Sequence, residues 1–265
     1  MEFVWRDEAS ASQGPGAGAV LVTSFPSAGL ATTVASHYIL RSLKLPRVGR
    51  FESPDLAPIA VVQGGEVNPI IRVYGRPGLG VVLSEFPPLA SQLTPIARTI
   101  LEGAERLSAR LIVCLEGVVP HPELENGTET TQVPAAEVTE NVWAAFSRRD
   151  PELLSAFART QARSLEEGVI GGVSGALLVQ GLGRKVPVAV VLVSTRAAEG
   201  LPDHRAGAVL IETLDRLLPE LKIDTGPLRK QAAEIERMLR AAMKGRPAAA
   251  EPEESAPPTE SGMYG

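Results

Sequence analysis

Two hydrophobic patterns alternate along most of the chain. Ala19 to Phe25, Arg110 to Val119 and Val188 to Thr195 are short, nearly continuous apolar runs rich in Val, Leu and Ile. Runs of that kind predict strands covered on both faces of a sheet. Elsewhere apolar residues return every three to four positions, which predicts helices. The helical stretches are Gly29 to Leu43 (Leu30, Val34, Tyr38 and Leu40 on one face), Ser91 to Leu107, Glu152 to Glu166, Val173 to Gln180, Arg205 to Leu218 and Leu228 to Met243. Pro227 sits near the start of the last, where a missing N–H is harmless. Val48 to Ser53, Ile59 to Val67, Ile70 to Gly75 and Gly80 to Glu85 read as four closely spaced strands between Pro and Gly signals, and predict an antiparallel meander. Val138 to Phe146 fits strand or helix by pattern; Val142, Trp143 and Phe146 favour a strand.

Valine-rich strands alternating with helices predict an α/β fold: a three-layer sandwich whose central mixed, mostly parallel sheet carries helices on both faces. Residues 1–244 form one such domain. The pattern stops at Gly245. From there to Gly262 the chain reads GRPAAAEPEESAPPTESG, with four prolines, four glutamates and one arginine. No side chain there is both apolar and larger than alanine, so the segment cannot bury enough surface to offset its ordering entropy. An acidic, proline-rich disordered tail over residues 245–265 is the expectation.

The formal charge of the 265 residues is −5, from 26 Lys and Arg against 31 Asp and Glu. A nucleic-acid binder would carry a basic excess, so no nucleic-acid partner is expected. One cysteine, Cys114, and three scattered histidines, His37, His121 and His204, supply neither a disulfide nor a Cys-rich metal site. No metal and no cofactor are expected. The start of the chain lacks the apolar run of a secretion signal, and the most apolar stretch, Val186 to Val193, is far short of the ~20 residues that span a bilayer. A cytoplasmic protein without a membrane partner is the expectation, and Asn126-Gly127-Thr128 is then a chance sequon.

Four groups of residues are candidates for chemistry. Gly14-Pro15-Gly16-Ala17-Gly18 resembles a phosphate-binding glycine loop, but it precedes a strand instead of following one, and reads better as an N-terminal turn. Gly168 to Gly175 precedes a helix and its N–H groups could hold an anion; no Lys or Arg follows, so close helix packing is the simpler account. Ser84, Glu85, Glu116, Ser194 and Thr195 sit near strand ends, where ligands bind in open α/β sheets, with Asp203, His204 and Arg205 before a helix. Asp203 is equally well explained as a helix N-cap. Cys114 lies inside Leu111-Ile112-Val113-Cys114-Leu115, a setting for a small core residue and not for a nucleophile. No catalytic residue is assigned.

The fourth candidate is the tip, Met263-Tyr264-Gly265. No Phe, Trp or Tyr occurs between Ala158 and Met263, and then a tyrosine stands beside a large apolar residue after the acidic stretch. An apolar anchor, a phenol and a carboxylate make a short linear motif that can enter a pocket on a partner, the carboxylate pairing with a lysine or backbone N–H groups. A flexible tail of that length would span about 25 Å root-mean-square, enough to reach a pocket away from the body.

The chain resembles the proteasome assembly chaperone family, in its archaeal-type branch. The resemblance covers about Val20 to Leu239 and rests on Phe25-Pro26 with Gly29-Leu30, Ser53-Pro54-Asp55 with Pro58, Ser84-Glu85 before Pro87, the run from Gly168 to Leu178, Pro202-Asp203 before Arg205-Ala206, and Ile223-Asp224-Thr225. It departs at Ser27-Ala28, where glycine often follows Phe-Pro. The resemblance implies a fold similar to nucleoside phosphorylases, a chaperone or proteasome-binding role without catalysis, and a homo-oligomer. It also implies that Met263, Tyr264 and Gly265 form the hydrophobic–tyrosine–any motif that docks between α-subunits of the proteasome core particle. The alternative is a nucleoside- or phosphate-binding domain using residues 171–175 for phosphate and Glu85 or Asp203 for a sugar or base.

Overall fold

The structure is a computed structural model and describes residues 1–119, 141–196 and 201–244. Its strands are β1 (Glu2–Trp5), β2 (Val20–Ser24), β3 (Arg47–Glu52), β4 (Val61–Gln63), β5 (Glu66–Asn68), β6 (Arg72–Arg76), β7 (Leu79–Leu83), β8 (Leu111–Val118), β9 (Val142–Phe146), β10 (Arg163–Ser164) and β11 (Val188–Ser194). Its helices are α1 (Glu8–Gln13), α2 (Ala31–Ser42), α3 (Ala90–Arg106), α4 (Pro151–Ala158), α5 (Gly172–Gln180), α6 (His204–Leu217) and α7 (Gly226–Lys244). Nine strands form one sheet in the order β1-β3-β6-β7-β2-β8-β11-β9-β10.

Alternation along the central strands sends successive side chains to opposite layers. Val20, Val22, Leu111, Val113, Leu115, Ala189, Val191 and Val193 face a core that also holds Ala35 and Ile39 of α2 and Leu210, Ile211 and Leu214 of α6. Leu21, Ile112, Cys114, Val188, Val190 and Leu192 face the other core, with Ile96, Ile100 and Leu101 of α3 and Val173 and Leu177 of α5. The three-layer reading therefore holds. Helix α7 is fastened to α6 by Arg229, whose Nε and Nη2 donate to Glu212 Oε1 and Oε2 at 2.6 and 2.7 Å. Farther along α7, Arg196 Nη1 donates to Glu236 Oε1 at 2.7 Å, fixing that part of the helix beside the end of β11.

Four details differ from the sequence expectation. The sheet is mixed but not mostly parallel: β2 with β7, β2 with β8, β8 with β11, and β9 with β10 are parallel, and four other pairings are antiparallel. Parallel pairing is concentrated at the centre, where helical crossovers cover both faces. Residues 59–67, read as the second strand of the meander, do not join the main sheet. They turn at Gly64-Gly65, both at positive φ, and β4 with β5 makes a separate two-stranded ribbon. The helix read over 152–166 ends at Ala158, because Thr160 Oγ1 bonds to the Phe157 carbonyl at 2.6 Å and Gln161 adopts a left-handed conformation. Finally, Glu2–Trp5 is a strand, anchored by Phe3 stacking edge-on to Trp5 and Phe51 at 4.7 and 6.2 Å. The strand read over 138–146 is present at Val142–Phe146; residues 138–140 lie outside the described residues. Among the described residues no helix is long and apolar enough to cross a membrane.

Burial decides what each leucine contributes. Leu210 is wholly buried between α6 and the sheet, whereas Leu182 after α5 is exposed. Leu210→Ala is expected to cost about 2–5 kcal/mol, read as a lower urea midpoint, and Leu182→Ala to leave the midpoint within error.

Candidate functional site

Strands β2, β7, β8 and β11 are mutually parallel and end at one edge of the sheet. In an open α/β sheet this is where chemistry collects. Two polar clusters stand there, on opposite faces.

On the face carrying α2, Arg72 is completely buried and forms an ion pair with Glu85, while His37 of α2 brings its Nε2 to 3.2 Å from Glu85 Oε1. Burial pushes the Glu85 carboxyl up, but His37 and Arg72 together outweigh that and hold it below its ordinary value. Arg47 donates to the Asn68 side chain nearby. Tyr74 lies between Arg72, Arg47 and Glu85, and burial raises its phenol above the usual value. The arrangement binds the β6 and β7 strands to α2 electrostatically. Both partners meet Glu85 Oε1, whereas Glu85 Oε2 and Arg72 Nε and Nη1 are buried without a hydrogen-bond partner among the described residues.

On the other face, Glu116 at the end of β8 accepts from Ser174 Oγ of α5 at 2.5 Å. Burial pushes this carboxyl up to about 7, with Ser174 opposing the shift. Cys114, one alternation deeper, is fully buried and its thiol is pushed up to about 12, so it stays a neutral core residue. The glycine-rich run leads into the same helix. A Cβ on Gly175 would come to 2.2 Å from the Ile170 carbonyl oxygen, so this glycine serves a tight backbone fold. The structure thus keeps Glu85 and residues 171–175 apart, on opposite faces of the sheet, and does not bring them into one nucleoside site.

The loop after β2 lies over the same edge. Ser27 Oγ accepts from the Gly117 N–H at 2.9 Å, and a Cβ on Gly117 would stand 2.3 Å from the Ala28 carbonyl oxygen. The departure at Ser27-Ala28 therefore does not keep this loop from a backbone; Gly117 on the facing strand provides the room. Asp203 caps α6 by accepting from Ala206 N–H at 2.8 Å, and its second oxygen accepts from Arg196 N–H at 2.9 Å. Thr195 Oγ1 donates to the Val118 carbonyl at 3.1 Å, Asn141 N–H donates to Ser194 Oγ at 3.1 Å, Ser84 Oγ donates to the Phe86 carbonyl at 2.9 Å, and His204 Nδ1 lies 3.0 Å from the Pro202 carbonyl. Each of these candidates is occupied in closing loops. Met263, Tyr264, Gly265 and His121 lie outside the described residues. Sequence reasoning passed over Arg72 and His37; the one available signal was an arginine at an inward position of an otherwise apolar strand.

Glu116 makes stability depend on pH. Its folded pKa lies above the unfolded one, so its proton stabilises the fold at low pH, and that contribution is lost as pH rises through about 7. Raising pH from about 5 to about 8 is expected to remove up to about 3 kcal/mol. Glu116→Gln keeps the bond to Ser174 and should flatten this dependence, giving a higher melting temperature than the parent above neutral pH. A second expectation concerns the buried pair. Glu85→Ala should cost about 3–5 kcal/mol by stranding Arg72, whereas replacing both residues with apolar ones should cost much less, as read by urea denaturation.

Similarity to known proteins runs through both clusters. The model of the PAC2 family matches residues 21–243. An uncharacterized protein of Methanocaldococcus jannaschii is 24% identical over 221 residues, 83% of this chain and 84% of the relative. The structure of Pyrococcus furiosus PbaA, described as an archaeal homolog of proteasome-assembly chaperone, superposes with a TM-score of 0.74 at 21% identity, covering 92% of each chain. Pyrococcus furiosus PbaB, described as an archaeal proteasome activator, gives a TM-score of 0.70 at 18% identity over 91% of this chain and 98% of its own. The sandwich, the cluster at Glu85 and the glycine-rich turn into α5 all fall within the matched span, and the chain belongs to the PAC2 family.

Proposed function

We propose that this protein is a non-catalytic proteasome-binding protein, an assembly chaperone or ATP-independent activator. It docks Met263, Tyr264 and Gly265 into pockets of the α-ring of the core particle. The observation that carries the reading is the match of about nine-tenths of the chain to PbaA and PbaB, whose descriptions name proteasome assembly and proteasome activation. The chemistry of the body agrees with it. Glu85 is engaged by Arg72 and His37, Asp203 caps a helix, and Cys114 is buried and neutral.

The body acts as a cytoplasmic platform and the motif as the contact. Several copies in a homo-oligomer present several tips to one ring, and each engagement after the first is intramolecular, so individually weak tips bind together strongly.

Removing Met263 to Gly265 is expected to abolish co-migration with a core particle and to leave the melting temperature unchanged. Tyr264→Ala should weaken binding at least tenfold in a pull-down or surface-binding titration. Full binding by the shortened chain would overturn the proposal.

A further inference from the structure

A concave site beside β3, five strand positions along the sheet from β11, has no role in the reading above. It encloses about 390 Å³ and is lined by Arg6, Arg47 and Arg50 together with Asn68 and Val67 of the β4–β5 ribbon, and no carboxylate lines it. Arg47 is held by Asn68. Arg50 bonds to Glu52, two residues along its own strand; both side chains are about 40% exposed, and an ion pair so placed exchanges readily for another carboxylate. A second cavity of about 870 Å³ shares Ile59, Ala60 and Pro69 with the first; Met1, Phe51, Leu56 and Ile70 give it an apolar wall, and Glu2 and Glu52 also line it. The two together make a basic trough leading into an apolar one. The β4–β5 ribbon beside them leaves Val62 and Val67 exposed.

We propose that the chain's own C-terminal segment occupies this trough. Glu254 and Glu260 lie over Arg47 and Arg50, and Met263 and Tyr264 enter the neighbouring apolar cavity. The segment is complementary in charge: residues 245–262 hold four glutamates and one arginine. It is also complementary in order, since the acidic residues precede the apolar pair. The reach suffices. Glu236 is fixed beside the end of β11, which stands five strand positions from β3, roughly 24 Å at about 4.8 Å per step. The eight residues of α7 from Glu236 to Lys244 add at most about 12 Å to that span; beyond Lys244 ten residues extend up to about 33 Å, to Glu254, and sixteen up to about 53 Å, so Glu260 reaches whichever way α7 runs and Glu254 wherever α7 does not run directly away from β3. A tethered segment is present at an effective concentration in the millimolar range, so weak charge contacts are enough to populate the docked form.

The consequence is regulatory, and it rests on the reading of Met263-Tyr264-Gly265 as the docking tip. The tip is withheld while it lies on the body and released when a ring of pockets competes for it. The apparent affinity for the core particle then falls by the fraction of tips that are free.

The test uses the full chain carrying Ser261→Cys, labelled with a thiol-reactive fluorophore; Cys114 is fully buried and does not compete for label. Rotational anisotropy of the label reports docking. The expectation is a high value at about 50 mM salt that falls at about 500 mM, is independent of protein concentration, and is lost in Arg47→Glu/Arg50→Glu. If that pair fails to fold, Glu254→Lys/Glu260→Lys alters only the segment and should lower the anisotropy equally. Combining both sets should restore it. Anisotropy that ignores salt and both sets of charge reversals would overturn the proposal, and so would a signal that grows with protein concentration, which would mean docking onto a second copy. Core-particle binding is read separately: the charge-reversed chains should bind about 2- to 10-fold more tightly than the parent. Docking seen by anisotropy without any core-particle binding would keep the trough and remove the proteasome reading; the converse would do the opposite.

Discussion

Burial of the central strands on both faces is the constraint from which the rest follows. Strands β2, β8 and β11 are covered by α2 and α6 on one side and by α3 and α5 on the other, and every residue of β2 and β11 is buried. A polar side chain in such a strand would lose its water without regaining partners, so polar groups are displaced to the strand ends. That is why Ser84, Glu85, Glu116, Ser194 and Thr195 collect at one edge, and why each has a partner there.

The edge consequently holds the molecule together more than it offers reactivity. Arg72 lies inside the fold with no exposure, its charge balanced by the Glu85 carboxylate beside it. Glu116 is handled differently: with no cation beside it among the described residues, its carboxyl is pushed towards neutrality by burial and shares a hydrogen bond with Ser174. The two carboxylates differ in ionisation because one has a buried cation and the other has a hydroxyl.

The flank around β3 and β6 departs from this regime. No helical crossover covers it in the way that α2 and α6 cover the centre, its strands are antiparallel, and the β4–β5 ribbon stands over it. There Arg6, Arg47 and Arg50 line a trough, while Arg72 of β6 is buried against Glu85. A platform with one closed, apolar half and one open, basic half suits a protein whose acidic segment, as proposed, alternates between its own body and a larger ring.

Much of the architecture was legible in the residues. Val188 to Thr195 read as a buried strand because nearly every position is apolar, and Asp203 read as a cap because a carboxylate before a helix meets unpaired N–H groups. The glycine pair at 64–65 carried a hairpin signal that the longer apolar pattern obscured, and Thr160 ended a helix through a side-chain bond that periodicity does not register. The chain alone also fixed the charge balance, the lone cysteine and the order of acidic and apolar residues near its C-terminus. Only the tertiary structure decided that Glu85 meets Arg72 and His37, that Glu116 meets Ser174, and that Arg6, Arg47 and Arg50 surround one hollow. Arg72 and Glu85 are 13 residues apart, but Glu116 and Ser174 are 58 apart, and such long-range proximity depends on how strands are ordered in the sheet, which local spacing does not encode.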